Sequence, residues 1–304
     1  MVLLEAILLT VITASTPLLI AALGELVVER AGVLNLGVEG MMVMGASCGF
    51  AVAVLSGSTT LGACAGIAAG MALAALFALM TVGLAANQVA SGLALTILGL
   101  GLSGLIGADF VGARRDPAPK LHLDGLSDVP FLGPILFGQD AFVYLSVALL
   151  LGVSWFLWRT RGGLVLTAIG DNPGSAHALG HKVRFVRLGA ILFGGACSGL
   201  AGAYLSLAYT PFWVRGMTAG RGWIALALVV FSSWIPWRLA VGAYLFGAVT
   251  ILQLHVQGFG LGISPQLMSS LPYLATILVL VAISRSRRRG ASPASLGIPF
   301  VPDR

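Results

Sequence analysis

GMMVMGASCGFAVAVLSGSTTLGACAGIAAGMALAALFALMTVGLAANQVASGLALTILGLGLSGLIGA, residues 40–108, contains no Asp, Glu, Lys or Arg. A helix that crosses a bilayer needs about 20 predominantly apolar residues. The run therefore holds three spans, parted at Ser56-Gly57-Ser58-Thr59 and at Ala86-Asn87-Gln88. Other charge-free stretches lie at Ala141–Trp158, Leu188–Val214 and Leu239–Ser284. The first two fit one span each. Residues 222–284 fit three, broken at Ile235-Pro236-Trp237-Arg238 and around Gln257 to Gln266. With residues 3–23 the expected count is about nine, and eight to ten if the 24–57 region divides differently.

Composition agrees. The 304 residues include 17 Lys plus Arg and 11 Asp plus Glu, so 9% are charged, against 58% apolar and a mean hydropathy of +0.99. Soluble domains carry about 25% charged residues because their surface faces water. This excludes a soluble enzyme, a disordered chain and a nucleic-acid binder. The sequence reads as all-α: one polytopic helical membrane domain over residues 1–284, then a basic tail over 285–304. That tail (Ala-Ser-Pro-Ala-Ser-Leu-Gly after Gly290) has turn composition and is expected to be disordered. The N-terminal segment lacks a basic region and carries Glu5, so it reads as a retained first span and not as a signal peptide.

Basic residues in short loops mark the cytoplasmic side. The 159–187 loop carries Arg159, Arg161, Lys182, Arg184 and Arg187 against Asp171 alone, and the tail carries Arg285, Arg287, Arg288 and Arg289. Both are expected inside, with an even number of spans between them. The acidic 109–140 loop is then outside, the 24–35 loop inside and Met1 outside. Nine of the 17 basic residues thus mark one face, so the +6 charge is a topology signal. Cys48, Cys64 and Cys197 lie within apolar runs and read as packing residues.

Several motifs have plain structural readings. Gly99-Leu-Gly101-Leu-Ser-Gly104 fits G-x-G-x-x-G, but dinucleotide binding needs a soluble strand–turn–helix context. Small residues four apart, Gly45/Gly49, Gly62/Gly66/Gly70 and Gly195/Gly199, let helices approach closely in lipid. Gly101-Leu-Ser103-Gly104 resembles the G-x-S-G of rhomboid-type intramembrane proteases, for which His255 is the available base. His177 and His181 have metal-ligand spacing without a third ligand, and read as solvated loop residues. No Walker A sequence occurs, so any active transport draws on an ion gradient or another subunit. Ion-coupled carriers place acidic residues inside spans. Glu39 is the only one well placed here, which favours an external ATPase over a secondary carrier.

The segment from Gly162 to Gly180 is the most informative. Asp171 or Asn172 followed by Pro173 is an N-cap with Pro in the first turn. Ser175 to Leu179 then forms a short helix, and Gly180 stops it. Such a helix either connects two spans or docks on a partner, and local physics leaves both open.

The A-x-G-[DE]-N-P-x-x-A-x-x-L-G pattern resembles the coupling loop of ABC transporter permeases of the branched-chain amino acid, ribose and nucleoside group. Glu29-Arg-Ala-Gly-Val-Leu-Asn35-Leu-Gly-Val-Glu39-Gly-Met-Met resembles the signature after the first span in the nucleoside and simple-sugar branch. Gln88-Val-Ala-Ser-Gly-Leu-Ala-Leu-Thr-Ile-Leu-Gly and Gly216-Met-Thr-Ala-Gly-Arg221-Gly-Trp-Ile-Ala-Leu-Ala-Leu are similar to the family's fourth span and the entry to its late spans. The resemblance spans residues 15–285, with a departure at Phe231-Ser-Ser-Trp-Ile-Pro, where the family has a Gly after the Phe and a polar residue before the Pro.

The resemblance implies an ABC importer permease bundle in a bacterial plasma (inner) membrane, multi-pass with its C-terminus inside. It has no catalytic residues, no cofactor and no bound nucleotide. Its partners are a cytoplasmic ABC ATPase, a second homologous permease subunit, an extracytoplasmic substrate-binding protein and the lipid bilayer. Gly170, Asp171, Asn172, Pro173, Ala176, Leu179 and Gly180 are expected to couple to the ATPase. Asn35, Glu39, Gln88 and Ser91 are polar groups in apolar spans, and either line the conduit or hydrogen-bond neighbouring helices. Arg215 and Arg221, on the outer side, are expected to dock the binding protein or to anchor at the interface. Nucleosides or simple sugars are the expected cargo. The alternatives are branched-chain amino acids, an ion-coupled carrier or an intramembrane protease.

Overall fold

A computed structural model of the chain describes residues 2–121, 132–258 and 292–301, with isolated positions between these ranges. In order, the helices are α1 (Val2–Arg30), α2 (Val38–Ser56), α3 (Thr59–Ala78, prolonged by a π turn at Leu79–Gly83) and α4 (Gln88–Ile106). Next come α5 (Leu132–Phe137), α6 (Ala141–Arg159), α7 (Arg161–Asp171), α8 (Pro173–Ala178) and α9 (Val183–Tyr204, prolonged by a π turn at Leu205–Tyr209). Finally there are α10 (Arg221–Phe231) and α11 (Pro236–Gly258). Both polar breaks in the opening run are helix starts. Ser58 caps α3, its hydroxyl accepting from Leu61 N at 3.3 Å, and Asn87 caps α4, its Oδ1 accepting from Ala90 N at 2.9 Å.

Seven of the described helices, α1, α2, α3, α4, α6, α9 and α11, are long and apolar enough to cross a membrane. The expected count of nine is not reached among the described residues. The span expected at 222–234 contains only the 11 residues of α10, about 16 Å of helix at 1.5 Å per residue. The last expected span, in 267–284, lies outside the described ranges.

The first span is longer than its composition suggested. α1 continues past residue 23 to Arg30, so 24–30 is helix and not loop. Glu25 and Glu29 are both fully buried in it, so Glu39 is not the only acidic residue inside the helices. The two glutamates are one turn apart, on a single face. Glu25 Oε1 accepts from Asn35 N at 3.2 Å and Glu29 Oε2 accepts from Trp234 Nε1 at 2.6 Å.

The centre of the bundle is a packed group of α1, α2, α3 and α9. Small residues set its spacing. A Cβ on Gly45 would land on the Gly199 backbone, one on Gly70 on the Gly195 carbonyl oxygen, and one on Gly202 on the Met42 carbonyl oxygen. The nucleotide-like string resolves the same way: a Cβ on Gly99 would sit 2.6 Å from the Gly40 carbonyl oxygen, whereas Gly101 faces open space.

The bundle has two distinct ends. At one, α1 finishes beside α7: a Cβ on Gly170 would strike the Arg30 carbonyl oxygen. Trp234, after α10, lies there too, its carbonyl accepting from Arg30 Nη2 at 2.9 Å. At the other, residues 107–120 pair with 207–213 through the Val111–Trp213 and Arg114–Phe212 bridges and the Ala118 N→Leu207 O bond at 2.9 Å. The Arg30 end carries the 159–187 segment and the Trp213 end carries the acidic loop. That is the separation of charges the sequence displays.

Residues 292–301 hold a turn that docks at the Arg30 end, where Ser295 is buried and donates both N and Oγ to the Gly170 carbonyl at 2.9 and 2.6 Å. The turn composition had no visible partner in the sequence, because Gly170 lies far away along the chain.

Helix contacts made through bare backbone do not tolerate side chains. Gly70→Leu or Gly199→Leu is expected to cost about 1–3 kcal/mol or more by overpacking. Each should lose the monodisperse peak in fluorescence-detected size exclusion, while Gly101→Leu keeps it.

Candidate functional site

Two constellations hold the residues singled out above. The first surrounds Glu39, 5% exposed near the start of α2. Its Oε1 accepts from Thr218 Oγ1 at 2.6 Å and from Gly220 N at 2.9 Å, and its Oε2 accepts from Gly222 N at 2.6 Å. These donors are the last residues before α10 and its first turn. A helix N-terminus leaves N–H groups unpaired and carries partial positive charge, so it favours an anion. Gly222 has to be glycine for the approach, since its Cβ would come within 2.5 Å of Glu39 Cα. Residues 210–220 thus turn inward from the Trp213 end, and α10 starts inside the bundle and runs to the Arg30 end.

The other polar candidates are buried as well. Gln88 Oε1 accepts from Leu34 N at 2.7 Å, and Asn35 Oδ1 accepts from Gly37 N at 3.0 Å. Ser91 is 3% exposed within α4, and Thr96, one helix turn further on, donates to the Leu36 carbonyl at 2.9 Å. Glu39 and Gln88 hydrogen-bond the backbone of other segments, Asn35 bonds its own turn, and Ser91 is buried in α4. Together these contacts fold the 31–37 segment back between α1 and α4.

α4 also presents an exposed apolar face: Val89, Leu93, Ile97, Leu100 and Leu105, spaced by three to five residues. At its Trp213 end a pocket of about 430 Å³ is lined by Ser103, Gly104 and Arg215 among others. Arg215 is exposed there. Arg221 is committed internally, with Nη1 donating to the Met217 carbonyl at 3.0 Å and its guanidinium 5.6 Å from the Tyr209 ring centre. The two arginines therefore differ, and only Arg215 is presented outward. Ser103 donates to the Leu100 carbonyl at 3.0 Å and His255 Nδ1 lies against the Ile251 carbonyl, so no hydrogen bond joins this pair.

The second constellation is the 159–187 segment. Asn172 is the cap of α8, with Oδ1 accepting from Ser175 N at 2.9 Å. The stop is a Schellman motif: Gly180 has φ +88°, Gly180 N donates to the His177 carbonyl at 2.8 Å, and His181 N donates to the Ala176 carbonyl at 3.1 Å. Ala176 is buried with Ile169 and Val183, whereas Leu179 is 80% exposed. Gly170 is pressed against α1, Asp171 ends α7 and Pro173 begins α8, with Asn172 alone between the two short helices.

The sequence profile described as "Branched-chain amino acid transport system / permease component" covers residues 7–281. The chain belongs to this family.

Among relatives of the permease, the putative glucose ABC transporter permease protein TsgC13 of Haloferax volcanii is 44% identical, with 94% of each chain covered. The guanosine ABC transporter permease protein NupQ of Bacillus subtilis is 32% identical, covering 94% of this chain and 93% of that one. The nucleoside ABC transporter permease protein NupC of Lactococcus lactis is 31% identical, covering 91% and 92%. No solved structure matches.

Sequence reasoning missed three parts of the permease. α7 lies in a stretch whose composition reads as loop, although Thr160 caps it (Gly163 N→Thr160 Oγ1, 3.1 Å) and its buried Gly163, Leu166, Ile169 and Gly170 repeat at helical spacing. That repeat was the available signal. Glu25 and Glu29 gave one too, since they stand four apart. Arg187, counted only as a topology marker, is 2% exposed and donates to three groups.

The Glu39 clamp makes a direct prediction. Glu39→Ala leaves the Gly220 and Gly222 N–H groups unpaired, at about 1–3 kcal/mol each. A lower thermal midpoint in detergent and new protease cuts within 210–222 are expected. Glu39→Gln, which keeps one acceptor oxygen, should fall between.

Proposed function

We infer that the chain is the membrane-spanning subunit of an ABC importer for simple sugars or nucleosides. A cytoplasmic ATPase binds at α8, a second permease subunit at the exposed face of α4, and an extracytoplasmic binding protein at the Trp213 end. The α8 unit carries the reading. It is rigidly capped at both ends, buried on one side through Ala176 and open on the other through Leu179. The basic residues around it assign this end to the cytoplasm. The same assignment puts Met1 and the acidic loop outside, and makes the 210–220 segment with α10 a broken crossing that descends from the outer face.

The cargo class follows the relatives named for glucose, guanosine and nucleosides. The buried state of Asn35, Glu39, Gln88 and Ser91 fits a path whose walls are largely apolar and weakly selective, with recognition left to the binding protein. The conduit then runs along the exposed face of α4, between two permease subunits, with Arg215 at its outer mouth.

If α8 transmits nucleotide-driven motion, its shape matters more than its charge. Gly180→Val forces a β-branched residue to φ +88°, at a cost of about 1–2 kcal/mol or more. Ala176→Trp displaces the helix from its seat. Both variants should reach the membrane yet uncouple, keeping ATP hydrolysis in the purified complex while uptake of labelled guanosine or glucose falls at least about tenfold, the scale of 1.4 kcal/mol in effective coupling. Normal uptake by both would overturn the assignment. At the other face, Arg215→Glu is expected to reduce stimulation of the ATPase by the binding protein several-fold, with a smaller effect from Arg221→Gln.

A further inference from the structure

Residues 292–301 form a strap across the Arg30 end of the bundle. Ser295 donates twice to the Gly170 carbonyl, at the end of α7, and Gly297 N donates to the Gly32 carbonyl at 3.3 Å, in the turn between α1 and α2. Arg187, at the start of α9, lies under both contacts. Its Nε donates to the Ala31 carbonyl at 3.1 Å, Nη2 to Ser295 Oγ at 3.2 Å and Nη1 to the Ile298 carbonyl at 3.1 Å. A guanidinium this buried needs its N–H groups filled, and two of its three acceptors belong to the strap. The strap then reaches α8. Phe300 packs against the Ile169, Ala176 and Val183 cluster, and its ring meets the His177 ring edge-on at 5.6 Å.

The strap is thus built in two layers. Ser295 and Phe300 face inward, while Ile298 and Val301 are 55% and 62% exposed. Leu179 on α8 is 80% exposed, and Phe185, after it, is 70% exposed. The six residues of α8 are too few to fold alone and offer a partner little apolar area. A pinned backbone that holds two apolar side chains out at the same end adds to that area.

We propose that residues 292–301 are the second half of the ATPase-docking surface, with Ile298 and Val301 contacting the same cytoplasmic ATPase that receives Leu179, and Phe300 and Arg187 acting as positioning residues beneath them. The proposal rests on the reading of α8 as the ATPase contact. The occupant is the ATPase because the strap's inner residue seats α8 itself, so the two exposed faces are fixed to one support. The basic residues Lys182 and Arg184 lie on the adjoining rim, which suits an apolar recess with acidic edges.

The test uses the full chain co-expressed with its ATPase, with a photo-crosslinking amino acid placed singly at Leu179 or Val301. ATPase adducts from both positions are expected. An adduct from 179 but only lipid adducts, or none, from 301 overturns the strap's role and assigns Val301 to the membrane surface or to solvent. No ATPase adduct from 179 overturns the α8 reading beneath it. In the same complex, Phe300→Ala and Arg187→Met should each weaken ATPase capture by roughly three- to tenfold. Phe300→Leu should restore it, and capture unchanged in both would remove their positioning role.

Discussion

A carboxylate shut inside a largely apolar helix bundle has to be supplied with donors, and the three that Glu39 collects organise the permease. In hydrocarbon, irregular backbone is tolerated only where protein covers it and fills its polar groups. Residues 210–220 are such backbone, and α10 begins with N–H groups that no helix turn can fill. Glu39 meets both needs at once. The position of α2 therefore fixes where the inward segment ends and where α10 starts, and Gly222 keeps the two close enough for a single carboxyl group to bridge them.

The opposite end of α10 is held by a related device. Ser233 and Trp234 both have positive φ, 52° and 57°, a conformation that costs roughly 1–2 kcal/mol for a residue with a Cβ. Trp234 is fixed there by Glu29 on its indole and Arg30 on its carbonyl. The backbone of this stretch is thus held by side chains from α1. Arg30 and its neighbours also touch Gly170 and, through Arg187, the strap. A contiguous run of contacts thus leads from α8 through α7 and the end of α1 to the Trp234 end of α10.

What could be read from the sequence followed from the bilayer's severity. A span without charge has few alternatives, so the breaks at Ser58 and Asn87, the long helices and the capped unit at Asn172–Gly180 were all legible. The misreadings share a cause: they depend on partners remote in sequence. Glu25 and Glu29 look like loop residues until Asn35 and Trp234 are brought against them. The strap's turn composition points to no partner until Gly170 and Arg187 are in place. α10 was counted as a full crossing because apolar composition says nothing about where a helix begins, and Glu39 decides that. The burial of Asn35, Gln88 and Ser91 is a matter of which face each helix presents, and that too is set by distant contacts.

The glycine contacts among α2, α3 and α9 bear on how such a protein can move. Side chains between helices act as cushions, because their rotamers can exchange and let one helix slide on another. Between Gly45 and Gly199, or Gly70 and Gly195, no side chain exists to exchange, and any relative sliding drives backbone into backbone. These three helices consequently travel as one body. The Gly40–Gly99 contact extends the same stiff frame to α4, whereas α6 meets it through larger side chains such as Phe142 against Tyr204.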